Sequence, residues 1–389
     1  MIINISGSKS LSQRYLILAS TAKTPSYLKN LSNSDDTLAL IEILKSAGVK
    51  FSKNNNVLTV YPPKTFSYVP KTVFNSKNGG TTLRFSFLIP FISRISAVFQ
   101  VSAQLQNRPS DAMFNIINQL GGKTVFLTEK RFPFMLNPST LTSSVTLNVD
   151  CSETGQVFSA VLLWASSFPE QTVAYCSENV VSESYIEMTL HTLDDFGISY
   201  EKTKNGVKIL SQEHSGIDIT CEPDMSLLPF VKLASDIRGK AFDIPQFNVK
   251  RQKDSIFFKF YEQLQQNKLE TIDLKAFPDL LPPLAIASVF LKKTVRFVGI
   301  KHTEFKESNR KHALTVELSK LGLKTYETEN SLEIKGEIIK SAELDSYEDH
   351  RLAMAFALLK LMNDKIEVKH KNSVTKSWRN FWSELEKFK

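Results

Sequence analysis

The chain has 389 residues, 42% hydrophobic and 23% charged, the composition of an ordinary globular protein with enough length for two hydrophobic cores. Its 48 basic and 40 acidic side chains leave a net charge of +8, which fits a lysine-rich solvated surface as well as an anionic small-molecule ligand; nucleic acid is not an expected partner, since no RNP motif, helix-turn-helix signature or zinc-finger spacing is present. No apolar run reaches the roughly 18 residues of a bilayer span, so no membrane partner is expected, and Cys151, Cys176 and Cys221, far apart and without CxxC spacing, suit a reduced, cytoplasmic chain.

Residues 1–6 read as a short strand, without the basic and apolar regions of a signal peptide. A helix apolar on all sides is expected at 10–22. Residues 35–60 then introduce a layout that recurs. A capping residue opens it, an apolar stripe at helical spacing follows, Gly48 ends the helix, and two alternating strands flank the turn Lys53-Asn54-Asn55-Asn56. The layout returns at 110–136, 184–210 and 308–334, with Gly121, Gly197 and Gly322 at the equivalent place, and more weakly near 253–265 and 378–388. Between the copies lie further buried-type helices at 81–92, 156–167, 226–235, 280–290 and 351–361. Six helices of each kind imply an α/β fold of six βαβαββ units, three in each of two domains.

Polar residues on the buried helices gather at their N-terminal ends: Lys9, Ser10 and Arg14; Asn78 to Thr81; Thr154, Gly155 and Gln156; Pro278 and Asp279; Glu348 to Arg351. Helix starts offer free N–H groups and the positive end of the dipole, so converging starts form an anion site. Ordinary capping is the better explanation for Thr81 or Ser226 taken alone. Lys9, Arg14 and Arg351 are poor caps, and they carry the argument for an anionic ligand.

These segments also carry a family resemblance. Ser6 to Arg14 (SGSKSLSQR) is similar to the PGSKSxSNR opening of the 5-enolpyruvylshikimate-3-phosphate synthases, and Asn78 to Arg84 (NGGTTLR) to their NAGTAMR. Arg108-Pro109 resembles their RP segment, Thr154-Gly155-Gln156 their SSQ, Ser182 to Tyr185 their SKPY, Pro278-Asp279 their PDAAM, and Lys306 to Arg310 (KESNR) their KETDR. Asp349 to Met354 (DHRLAM) is close to DHRMAM, and Lys376 falls where the family has TAK. The motifs run in the family's order through most of the chain. The resemblance implies an enolpyruvyl transferase fold of two three-repeat domains, an inside-out α/β barrel architecture, with one domain at 9–222, the other made of 1–8 and 223–389, and the active site in the cleft between them.

The implied reaction adds the 5-hydroxyl of shikimate 3-phosphate to C2 of phosphoenolpyruvate while C3 gains a proton, then expels phosphate and a C3 proton. By resemblance, phosphoenolpyruvate is held by Lys9, Asn78, Gly80, Arg108, Gln156, Arg310, His350, Arg351 and Lys376. Shikimate 3-phosphate is held by Lys9, Ser10, Arg14, Thr154, Gly155, Gln156, Ser182, Tyr185, Asp279, His302 and Lys306. Lys9, Asp279, Glu307 and Lys376 are the catalytic candidates: Asp279 orients or deprotonates the 5-hydroxyl, Glu307 moves the proton at C3, and Lys9 assists the leaving phosphate. Arginines suit these ligands because their fork binds carboxylate or phosphate bidentately. No metal or cofactor is implied, and the expected protein is a monomer acting on these two small molecules. Gly80 is small enough to leave room for glyphosate to compete with phosphoenolpyruvate.

Three departures fall on the shikimate-phosphate side. His302 stands in place of an asparagine, Gly155 in place of the second serine of SSQ, and Glu183 adds a negative charge beside a phosphate site. The alternatives are a UDP-N-acetylglucosamine enolpyruvyl transferase, which opens with a lysine–asparagine pair and carries a loop cysteine, and a non-catalytic anion- or nucleic-acid-binding relative. Ser10 follows Lys9, no cysteine lies near Arg108, and Lys9, Asp279 and Glu307 are all present.

Overall fold

The computed structural model describes residues 1–243 and 251–389. They form two compact units, Gly7–Glu222 and the discontinuous pair Met1–Ser6 with Pro223–Lys389. Each has its own core: one built from residues between Leu11 and Cys221, the other from Ile3, Ile5 and residues between Met225 and Phe388. Gly7 and Ser8 group with the first unit rather than with residues 1–6. Ser8 accounts for this: its hydroxyl caps the Lys9–Thr21 helix at Leu11 N, and its own N–H bonds to Glu222 O at 2.8 Å.

The Gly7–Glu222 unit contains three four-stranded sheets of one design. In one, Thr72–Asn75 runs parallel to Ala97–Gln100, then Phe134–Asn137 and Lys123–Phe126 complete an antiparallel hairpin. Val145–Val149, Gln171–Cys176, Gly206–Leu210 and Tyr200–Thr203 repeat it. The sheet of Ser26–Lys29, Val57–Tyr61 and Lys50–Asn54 takes its parallel edge strand, Asp218–Thr220, from the far end of the unit. A parallel pair needs a long crossover, and here the whole unit serves as one. In the discontinuous unit, Thr271–Asp273, Val295–Val298, Ser331–Lys335 and Lys324–Glu327 form one such sheet, and Glu343–Leu344 pairs with Glu367–Val368.

The repeated helices are Asp35–Ser46, Asp111–Gln119, Glu183–Asp195 and Arg310–Lys320, and each is followed by its two strands. The four expected glycines end them with φ between 67° and 96°, a conformation costly for any residue with a Cβ. The weaker copies supply helices, Ile256–Gln265 and Phe381–Glu386, without a following hairpin. The apolar helices Lys9–Thr21, Gln156–Ala165, Leu281–Phe290 and His350–Met362 are buried on nearly every residue.

Three expectations are corrected. Residues 81–92 are not one helix but two, Gly80–Ser86 and Ile89–Ser93, because Pro90 has no N–H to bond back to Ser86. Residues 1–6 form no strand; Ile3 and Ile5 are buried, while Asn4 N donates to Glu384 and Asn4 O accepts from the Trp378 indole. Cys151 and Cys176 form a disulfide with Cα atoms 5.9 Å apart, which the 25-residue separation hides. The parallel register that sets Val149 opposite Cys176 brings the two together. Cys221 is buried and lies outside the disulfide. Among the described residues no helix is long and apolar enough to cross a membrane.

Candidate active site

Two clusters contain the expected residues, one in each unit. In the Gly7–Glu222 unit, Lys9 is the first residue of its helix, a poor place for a cation near the dipole's positive end. Asp36, nearly buried in the first turn of the Asp35–Ser46 helix, compensates with an ion pair at 3.1 Å. Arg14 is buried, and its guanidinium donates to Thr189 Oγ1 at 2.8 Å, Ser10 O at 2.8 Å and Tyr185 O at 2.9 Å. It stacks over Phe85, and burial pulls it down to about 9, so it remains a cation at neutral pH. The expected shikimate-phosphate residues Ser10, Arg14 and Tyr185 are therefore tied together.

Thr154 Oγ1 accepts from Gln156 N at 3.3 Å, and Gln156 opens the Gln156–Ala165 helix. Gly155 packs against Ile186: an added Cβ would stand 3.1 Å from two of its carbons. Ser182 adopts φ 58° at the start of the Glu183–Asp195 helix, and its hydroxyl is buried with no hydrogen-bond partner among the described residues. Glu183 is exposed. Asn78 accepts from the Ser102 hydroxyl, and the Arg108 guanidinium packs on Gly80 so closely that an added Cβ would lie 2.6 Å from its Nη1.

In the discontinuous unit, Arg310 is the hub. At 1% exposure, it bonds Asp349 through Nε at 2.7 Å, Asp279 through Nη1 at 2.7 Å and Glu307 through Nη2 at 2.8 Å. Arg351 bonds Asp279 Oδ2 at 2.7 Å and both the hydroxyl and carbonyl of Ser226. Lys376 reaches Glu307 Oε1 at 3.3 Å. Burial would raise the Asp279 carboxyl, but Arg351, Arg310 and Lys306 outweigh it and hold it well below the usual carboxylate range. For Arg310, burial is outweighed by Asp349, Asp279 and Glu307, which hold its guanidinium firmly charged. His302 is buried, with no hydrogen-bond partner for Nε2 among the described residues; burial first and Lys306 second pull it down to about 3, so its ring is neutral at physiological pH.

Lys306, Arg310, Arg351 and Lys376 oppose Asp279, Glu307 and Asp349, one positive charge in excess, as an anionic ligand requires. His350, at the start of its helix, lies with Glu307 and Asp349 within metal-ligand reach, their ligand atoms within 4.8 Å. Arg310 already bonds both carboxylates and Lys376 bonds Glu307, so a metal ion would meet two fixed cations, and the cluster reads as an ion-pair network.

Sequence reasoning missed two residues that position these groups. Asp36 pairs with Lys9, and Asp349 anchors Arg310 while accepting from Arg351 N at 2.8 Å and Ser308 Oγ at 3.1 Å. Both stood in view as helix-start acids. Their second partners, distant in sequence, did not.

The profile of the family described as EPSP synthase (3-phosphoshikimate 1-carboxyvinyltransferase) matches residues 1–244 and 246–385. The chain belongs to the EPSP synthase family. It is 28% identical over 376 residues to the 3-phosphoshikimate 1-carboxyvinyltransferase of Acetivibrio thermocellus, covering 92% of this chain and 88% of that one. It is 29% identical over 401 residues to the enzyme of the same name from Thermococcus kodakarensis, covering 99% and 96%. Among solved structures, EPSP synthase from Acinetobacter baumannii superposes with a TM-score of 0.77 at 18% identity, covering 100% of this chain and 95% of that one. The enolpyruvyl transferase NikO from Streptomyces tendae gives 0.72 at 14%, covering 100% and 94%. These likenesses bear out the α/β enolpyruvyl transferase fold. As a family member the chain is a transferase of the shikimate pathway, on the route to aromatic amino acids.

Proposed function

We propose that the chain adds the 5-hydroxyl of shikimate 3-phosphate to C2 of phosphoenolpyruvate, protonates C3, and then eliminates phosphate and a C3 proton. The carboxylate–guanidinium network around Arg310, in a chain that matches the family almost end to end, carries this reading. Asp279, pulled well below the ordinary range by its cations, is a weak base and a firm hydrogen-bond acceptor. It orients the 5-hydroxyl toward C2. Glu307 lies between Arg310 Nη2 and Lys376 Nζ and moves the proton at C3. Lys9, held by Asp36, meets the charge that develops on the departing phosphate.

Arg108, Gln156, Arg310, Arg351 and Lys376, with His350 and the Asn78–Gly80 turn, hold phosphoenolpyruvate. Ser10, Arg14, Thr154, Gly155, Ser182, Tyr185, His302 and Lys306 hold shikimate 3-phosphate. The buried, unpartnered hydroxyl of Ser182 supports the second set, since a phosphate oxygen would satisfy it. His302 serves as a neutral ring beside Lys306 and presents a hydrogen-bonding edge as the asparagine of the family would.

We place the reaction in a monomer in the cytoplasm, where phosphorylated metabolites are retained by their charge. Phosphate release on mixing the protein with both substrates tests the reading. Release with a UDP-aminosugar in place of shikimate 3-phosphate, and none with shikimate 3-phosphate, would overturn it.

A further inference from the structure

Arg84 is outside the residues assigned above, yet its side chain joins three of the segments that bear them. It lies on the Gly80–Ser86 helix at 3% exposure. Nη1 donates to Gly80 O at 3.1 Å and to Gln156 Oε1 at 3.1 Å, and Nη2 donates to the carbonyl of Pro109, the residue after Arg108. An added Gly80 Cβ would stand 2.9 Å from Arg84 Nη1 and 2.6 Å from Arg108 Nη1, so both guanidiniums flank one glycine.

The Gln156 contact has a directional consequence. A guanidinium donates and cannot accept. A flipped Gln156 amide would set its NH₂ against the N–H groups of Arg84, two donors face to face. Arg84 therefore fixes Oε1 toward itself and Nε2 away, and Nε2 makes no hydrogen bond among the described residues. The bond to Pro109 ties down the chain beside Arg108 in the same way.

We propose that Arg84 is a positioning residue for the transfer reaction: it aims the Gln156 amide N–H groups and the Arg108 guanidinium at phosphoenolpyruvate, contacting the substrate only through them. This rests on the assignment of Gln156 and Arg108 to phosphoenolpyruvate. In Arg84→Met, similar in bulk but without donors, KM for phosphoenolpyruvate rises about tenfold or more, the scale of a lost charge-assisted hydrogen bond, while kcat changes less than about threefold. Arg84→Lys, which keeps charge but not the fork, falls between. A purely structural role would lower Tm and the active fraction and leave KM of the folded enzyme unchanged. In the Arg84→Met background, Gln156→Ala adds less than about threefold, because the amide is already misaligned. KM within twofold of wild type in Arg84→Met, or full additivity in the double variant, overturns the proposal.

Gln156→Glu gives a reading that does not depend on Arg84 variants folding. A carboxylate still accepts from Arg84 but donates nothing, so Tm is kept or raised while KM for phosphoenolpyruvate rises about tenfold. A Tm loss of more than about 5 °C shows that Arg84 does not hold this side chain and refutes the inference. Unchanged KM in Gln156→Glu defeats the Gln156 assignment and this inference together. A raised KM there, with unchanged KM in Arg84→Met, defeats the inference alone.

Discussion

Replacing Asp349 by Asn separates the charge of this residue from its shape. The carboxylate is fully buried and accepts from Arg310 Nε at 2.7 Å, Arg310 Nη2 at 3.4 Å, Ser308 Oγ at 3.1 Å and Arg351 N at 2.8 Å. The last bond caps the His350–Met362 helix, and asparagine caps as well as aspartate. What Asn removes is the negative charge facing a buried guanidinium. Losing one partner of a buried ion pair costs about 3–5 kcal/mol. Arg310 keeps Asp279 and Glu307, so the lower end applies, about 3 kcal/mol. With a urea slope of about 2 kcal/mol/M for a unit of this size, the midpoint falls by about 1.5 M. Trp378 and Trp382 belong to this unit and Trp164 to the other, so fluorescence in a Trp164→Phe background follows the affected transition. Asp349→Ala, which also loses the cap, costs about 1 kcal/mol more. A midpoint shift below about 0.5 M for Asp349→Asn refutes the claim that this pair anchors Arg310.

Glu307→Gln keeps the shape and still accepts from Arg310 but cannot exchange a proton; turnover falls by roughly tenfold or more with substrate binding retained, and normal turnover removes Glu307 from proton transfer. Gly80→Ala drives a methyl into Arg108, so KM for phosphoenolpyruvate rises at least several-fold while shikimate 3-phosphate binds as before; inhibition by glyphosate, measured alongside, weakens for the same reason. The Asp279 carboxyl lies below its unfolded value, so its contribution is complete above about pH 5 and is lost as pH falls through its folded pKa; the stability gap between wild type and Asp279→Asn should be flat from pH 5 to 8 and shrink below about pH 4, and a gap that widens in acid contradicts this. His302, pulled down to about 3, must stay neutral in the fold while the unfolded chain takes up a proton below about 6.5, so it contributes an acid-sensitive loss of stability. His302→Asn should lose about 2 kcal/mol less than wild type between pH 7 and pH 5; parallel stability–pH curves count against a neutral buried ring.

The repeat was readable from sequence because each unit announces itself locally: a capping residue, a helical stripe, a glycine that must take positive φ, and two alternating strands. The helix starts at Lys9 and Arg351 were readable for a related reason, since cations there conflict with ordinary capping. Long-range pairing was not readable. The Asp218–Thr220 strand that completes the first sheet, the Cys151–Cys176 disulfide and the short order of residues 1–6 depend on partners remote in sequence. The break at residue 87 was visible in Pro90, but the apolar run around it masked the lost N–H.

The sequence by itself determined the repeating α/β units, the family, and a set of candidate groups for an anionic substrate. Only the tertiary structure decided what each charge faces: Lys9 paired with Asp36, Arg14 spent on Thr189 and two carbonyls, Arg84 turned to Gln156, Arg310 set among three carboxylates. Charge and helix position follow from residue type and local spacing. The field at a buried group, and so its protonation state and its freedom to act, is summed over neighbours that the chain brings together only by folding.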